Sequence, residues 1–200
     1  MSENNEPKLA PPGAGLPKME LFVGRLLFAI RRRRGSRESF NADFVREREG
    51  IQKLYQSCGA KMAAQRILIK RVPGLEDSSR NWSVWMTLDH LRIVNHSIAG
   101  IIGKLTQGIV PKGTASTAAV KPSANVNLSV VAEYEASCDA VLLAVAAAQE
   151  LKTAARYAHP WFGPLDAFSW HAMASGHMAI HRGQIERILH GIRTQQNRPA

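Results

Sequence analysis

The chain has 200 residues and a mass of 22.0 kDa, enough for one domain of ordinary size with residues left over at an end. Its 45% hydrophobic and 21% charged residues argue against a disordered chain, and its two cysteines, Cys58 and Cys138, exclude a disulfide scaffold or a cysteine-based zinc finger. The net charge of +10 is local, since residues 1–82 carry 16 Lys/Arg against 9 Asp/Glu while residues 83–200 carry 10 against 7, so basicity describes an appendage.

No signal-peptide pattern is read in the first 17 residues, MSENNEPKLAPPGAGLP, whose polar, Pro/Gly-rich composition predicts a flexible tail. With the sparse cysteines, this predicts a reducing, cytoplasmic setting. Leu21 to Ile30 is apolar but interrupted by Gly24 and Arg25, and is too short to cross a bilayer, which needs roughly 20 apolar residues. It predicts a short amphipathic helix ending in the Arg31–Arg34 run. The reading taken for it is a solvated arm or a helix docked on the main body. Contact of Arg31–Arg34 with nucleic acid or an anionic membrane surface is the less favoured alternative. Residues 1–40 are therefore separated from a main domain over 41–197.

Four longer segments with helical periodicity follow. The first is predicted from about Asn41 to Lys70, capped by Asn41 or Asp43, with Phe44, Ile51, Leu54, Tyr55, Met62 and Ile69 as its apolar stripe. Pro73-Gly74 and Asp77-Ser78-Ser79 mark a loop. The second begins near Ser83, a fitting N-cap, and keeps Val84, Leu88, Leu91, Val94, Ile98, Ile101, Ile102 and Leu105 on one side until Gly108. Residues 108–126 are small, polar and proline-punctuated, and predict a long loop. The third helix has a seam of Val131, Tyr134, Cys138, Val141, Val145 and Ala148, with helix formers filling 139–155 and His159-Pro160-Trp161-Phe162-Gly163-Pro164 as its stop. The fourth is predicted from about Leu165 to Thr194, through Trp170, Met173, Ile180 and Leu189. No useful strand-like alternation is read anywhere, and the pattern predicts an all-α four-helix bundle with an extra short helix before it.

His177 and His181 stand four apart in the fourth helix, so both rings emerge from one face and can reach a single ion. Small residues flank them: Ala174, Gly176, Ala179 and Gly183 predict close approach of a neighbouring helix and room for an ion with its water. His90, in the middle of the second helix, is a third candidate. Gln184 is a candidate for orienting a ring as an outer partner, whereas Asp89 is expected to face solvent or a helix end. His159 is placed in a turn, and His171 and His96 off the ligand faces. Trp161, Phe162 and Trp170 are read as core or pocket wall, and Cys138 as a buried inert thiol. No serine nucleophile with a base and no phosphate-binding glycine loop is found, so catalytic residues stay unassigned.

Trp82-Ser83-Val84-Trp85-Met86-Thr87-Leu88-Asp89-His90-Leu91 resembles the second-helix signature of the DinB-like superfamily. The run from His159 through Trp170, His177 and His181 to Gln184-Ile185 resembles its fourth-helix signature. The resemblance covers about residues 41–195. It implies a four-helix bundle, commonly a homodimer, holding a divalent ion, most often zinc or nickel, on His90, His177 and His181. It further implies kinship with metal-dependent thiol S-transferases that use bacillithiol or mycothiol, and so a low-molecular-weight thiol with a small-molecule substrate, or metal-activated water in a hydrolase. The alternative reading is a non-catalytic stress-response or interaction bundle with structural histidines.

Overall fold

The computed structural model describes residues 7–197 and shows a four-helix bundle with an additional helix ahead of it. Helix α1 spans Lys18–Arg34, α2 Arg37–Gln56, the single turn α3 Ala60–Ala64, α4 Val84–Thr106, α5 Val130–Ala147 and α6 Ala167–Gln196. The bundle is α2, α4, α5 and α6, with α4 packed on α5 and both α2 and α4 packed on α6.

Three of the bundle helices, α2, α4 and α6, start where a side chain satisfies a free amide of the first turn. Ser83 caps α4 by accepting from the Met86 amide at 3.1 Å, and Asp166 caps α6 by accepting from the Ser169 amide at 2.8 Å. Helix α2 begins earlier than Asn41. Ser36 and Ser39 form a reciprocal capping box, which supplies the start that Asn41 and Asp43 were expected to give. It also ends earlier than Lys70. After Ser57, Cys58 and Gly59 interrupt it, the chain makes the turn α3 and then runs extended, with Ile67, Ile69 and Val72 still buried. These side chains reach the core from extended backbone, so the helical interval of Ile69 from Met62 is coincidental.

The third helix is likewise shorter than its composition suggests. Tyr134, Cys138, Val141 and Val145 form its buried seam, joined by Val130 in place of the half-buried Val131. It stops at Ala147, and the chain leads into a two-stranded antiparallel hairpin, β1 Tyr157–His159 and β2 Gly163–Leu165. The sequence shows no alternation there because each strand is only three residues long; Gly163, at φ +71°, makes the return.

Residues 7–17, expected as a free tail, are held against the loop before α4. Asp77 accepts from the Ala10 amide at 2.8 Å, and Glu76 accepts from the amides of Gly13 and Gly15 at 2.9 and 3.1 Å. Helix α1 is docked on α6 and the hairpin. Arg25 donates to the Trp161 carbonyl at 2.7 Å, Arg32 donates to Ser169 at 3.1 Å, and Phe28 meets Phe162 with ring centroids 4.5 Å apart. Among the described residues, no helix is long and apolar enough to cross a membrane.

Candidate metal centre

Helix α4 carries His90 in its second turn, and α6 carries His177 and His181 one turn apart near its middle. Packing of α4 against α6 brings the three rings together. The Nε2 atoms of His90 and His181 each lie 3.1 Å from Nε2 of His177, and all three ligand atoms fall within 4.8 Å of one another. Nitrogens bound to one zinc at about 2.0–2.1 Å stand about 3.3 Å apart at the tetrahedral angle, so the observed spacing fits a shared divalent ion.

Two of the tautomers follow from the partners. Nδ1 of His90 lies 2.7 Å from the Val120 carbonyl, which only accepts, so Nδ1 carries the proton and the Nε2 lone pair faces the centre. The Gln184 amide donates to the Ser79 carbonyl at 2.8 Å, which turns its oxygen to Nδ1 of His181 at 2.7 Å. His181 is thereby fixed in the same tautomer. Nδ1 of His177 is buried with no partner. Burial holds all three rings below the ordinary imidazole range: it pushes His90 down to about 4 against the pull of the Val120 hydrogen bond, and lowers His177 and His181 with help from the neighbouring rings. Neutral imidazoles with converging lone pairs are the protonation state a metal ligand set requires.

The centre opens into a cavity of about 420 Å³. Trp161 and Trp170 line it, with Tyr157, His159, Trp82, Ile93, Val94 and the Thr114–Val120 stretch. Trp82 lies parallel to the His181 ring at a centroid distance of 6.3 Å, and 5.2 Å from the His90 ring. A second cavity of about 370 Å³ lies under α1 and shares His177, His159, Trp161, Met173 and Gly74 with the first.

Several residues differ from their sequence reading. Asp89 does not face solvent: it is buried, paired with Arg92 at 2.7 Å, and accepts from the Ser123 amide at 2.9 Å, which pins the 108–126 loop over the site. That loop supplies the Val120 carbonyl, a partner no side-chain pattern could reveal. Gly176 and Gly183 do not admit a neighbouring helix; a Cβ on either would meet nothing within 4 Å, and Gly176 lines the second cavity instead. His159 stands on β1, faces the cavity, and is pushed down to about 4 by burial. Its position before Pro160 gave no periodic signal. His171 lies outside the cluster, fully buried edge-on against Phe40 at 5.6 Å, and His96 is exposed. Cys138 is buried and its thiol is pushed up to about 12, so it is no nucleophile.

No protein-family profile and no curated protein sequence matches the chain. Among solved structures, it is similar to a four-helix bundle protein, TT2238, with a TM-score of 0.57 at 18% identity, over 76% of this chain and 98% of that one. At this identity the likeness concerns the fold, a four-helix bundle.

Proposed function

We propose that the protein is a divalent-metal-binding bundle of the DinB-like kind that acts on a small molecule together with a low-molecular-weight thiol or water. The observation that supports this most is the set of three imidazole Nε2 atoms, 3.1 Å apart in two of the pairs, at a cavity of about 420 Å³. In this reading His90, His177 and His181 hold one ion, zinc or nickel, and a set of three nitrogens leaves room for a further donor. A bound ion would supply Lewis-acid character, favouring deprotonation of a thiol or water near neutral pH.

The chain's own residues supply position and environment. Val120 and Gln184 keep His90 and His181 protonated at Nδ1, so that Nε2 stays free. Trp82 lies parallel to the His181 ring and forms part of the cavity wall beside the ligand set. Trp161 and Trp170 give the cavity flat apolar walls suited to an aromatic or otherwise planar apolar portion of a substrate.

Elemental analysis tests this. Protein purified with zinc or nickel supplementation is expected to contain about one ion per chain, and His177→Ala to lose it. No metal in either supplemented or unsupplemented protein would defeat the proposal and leave a non-catalytic helical interaction bundle whose histidines are structural.

A further inference from the structure

Helix α1 is docked inside out. At 100° per residue, Glu20, Gly24, Phe28, Arg31 and Arg32 share one side, and that side faces the protein. Glu20 pairs with Arg71 and accepts from the Gly74 amide at 2.6 Å; Arg31 reaches Asp43 at 2.6 Å and Ser175 at 2.7 Å. The opposite side, about 140° of arc, carries Met19, Phe22, Leu26 and Ile30, with Val23 and Leu27 at its edge, on the rim of the second cavity. All six are exposed, from 40% at Ile30 to 74% at Met19. A soluble helix ordinarily turns such a stripe to its own core. Here the polar side holds the helix to the bundle, and the apolar side is presented outward on a fixed scaffold.

Charge decides what covers it. The stripe ends at Arg33 and Arg34, both exposed and neither with an ion-pair partner among the described residues, and Lys18 is exposed at its other end. The one acid of the helix, Glu20, is spent on Arg71, so the outward side offers apolar and cationic groups and no carboxylate. A second copy of this helix would meet the first with like charges and nothing to neutralise them. Nucleic acid would leave the six apolar side chains in water. An anionic lipid surface satisfies both halves, taking the stripe into the acyl boundary and the cations among the headgroups.

We propose that the outward side of α1 is a membrane-association surface for anionic lipid bilayers, with the bundle held at the interface and no segment spanning it. Cosedimentation of the full chain with phosphatidylcholine vesicles, with and without phosphatidylglycerol, tests the proposal, alongside light scattering for mass and a duplex DNA binding assay. Binding to phosphatidylglycerol vesicles is expected to exceed binding to phosphatidylcholine alone by at least about tenfold, at about fivefold per engaged cation, and to weaken with salt. The exposed double variant Phe22→Ser/Leu26→Ser should lose that binding at least about tenfold, and so should Arg33→Gln/Arg34→Gln, with both variants retaining the helical circular dichroism of the parent. Absence of binding to phosphatidylglycerol vesicles overturns the proposal. So does a dimer that Phe22→Ser/Leu26→Ser dissolves, which would assign the stripe to a second copy, or DNA binding lost in Arg33→Gln/Arg34→Gln while vesicle binding is unchanged.

Discussion

Gln184 bridges His181 to the Ser79 carbonyl: its oxygen accepts from Nδ1 of the ring at 2.7 Å while its amide donates to Ser79 at 2.8 Å. The loop before α4 and the centre of α6 are thus joined through one fully buried side chain, which ties the ring's Nδ1 to the main chain.

Replacing Gln184 by Leu frees the His181 ring to change tautomer or rotate, and strands the Ser79 carbonyl. Metal affinity is expected to fall about 10–100-fold, with the fold retained. Competition against a chromogenic chelator measures it. An unchanged affinity would show that the bridge orients nothing that matters for binding.

A ligand that binds only the folded state raises its stability by about 2.7 kcal/mol at a hundredfold excess over Kd. For a domain of this size, saturating zinc or nickel is expected to raise Tm by about 5–10 °C, and a chelator to reverse the gain. The same additions should leave the His177→Ala variant where it was. Scanning calorimetry of the two chains distinguishes site binding from a general salt effect.

Asp89 ties the 108–126 loop to α4 by accepting from the Ser123 amide at 2.9 Å, and that loop presents the Val120 carbonyl to His90. Asp89→Ala removes the acceptor of the Ser123 amide and the nearer carboxylate partner of Arg92, at 2.7 Å, leaving it Glu133 at 3.4 Å, a loss of about 1–3 kcal/mol. Amide hydrogen exchange across residues 111–126 should accelerate more than in the bundle helices. Uniform acceleration throughout would mean a global loss of stability and not a released loop.

His171 gives the chain a specific acid sensitivity. Burial, followed by the charges of Arg37 and Arg31, pushes this ring down to about 4 from an ordinary value of 6.5. Between those values the unfolded chain takes up a proton that the folded chain refuses, so stability is complete above about pH 6.5 and is lost as pH falls toward 4. The slope reaches about 1.4 kcal/mol per pH unit for each such ring. His171→Leu should flatten the dependence by one ring's share in urea titrations at pH 7, 6 and 5. A slope equal to that of the parent would place the acid sensitivity in the other buried rings, His90, His159, His177 and His181, which are shifted the same way.

Gly74 turns the chain at φ +88°, where a Cβ would come within 2.9 Å of Ile180. Gly74→Ala combines a strained backbone with that contact against α6, and is expected to cost about 1–3 kcal/mol, read as a lower urea midpoint with an unchanged slope.

Some of this was legible in the order of the residues. The α4 stripe from Val84 to Leu105 and its Ser83 cap are local features, decided within a few turns, and the structure has both, with Ile101 half-buried at the edge of the stripe. The four-residue interval between His177 and His181 puts their rings on one face of any helix that contains them. Gln184 lies three residues beyond His181, within reach on the same helix.

What lay beyond the sequence depends on segments far apart along the chain. Ile69 stands seven residues after Met62, a helical interval, yet sits on extended backbone, because burial against the bundle rewards an apolar side chain whatever backbone carries it. Helix formers over 148–155 do not extend α5: the helix ends at Ala147, and the hairpin of two three-residue strands that follows places His159 and Trp161 at the cavity. The meeting of His90 with His177, 87 residues apart, the capture of Asp89 by Ser123, and the outward turn of the α1 stripe are pairings between elements. Local propensity sets which faces of a helix are apolar; only packing of one helix on another decides which of those faces is hidden and which three rings share a point.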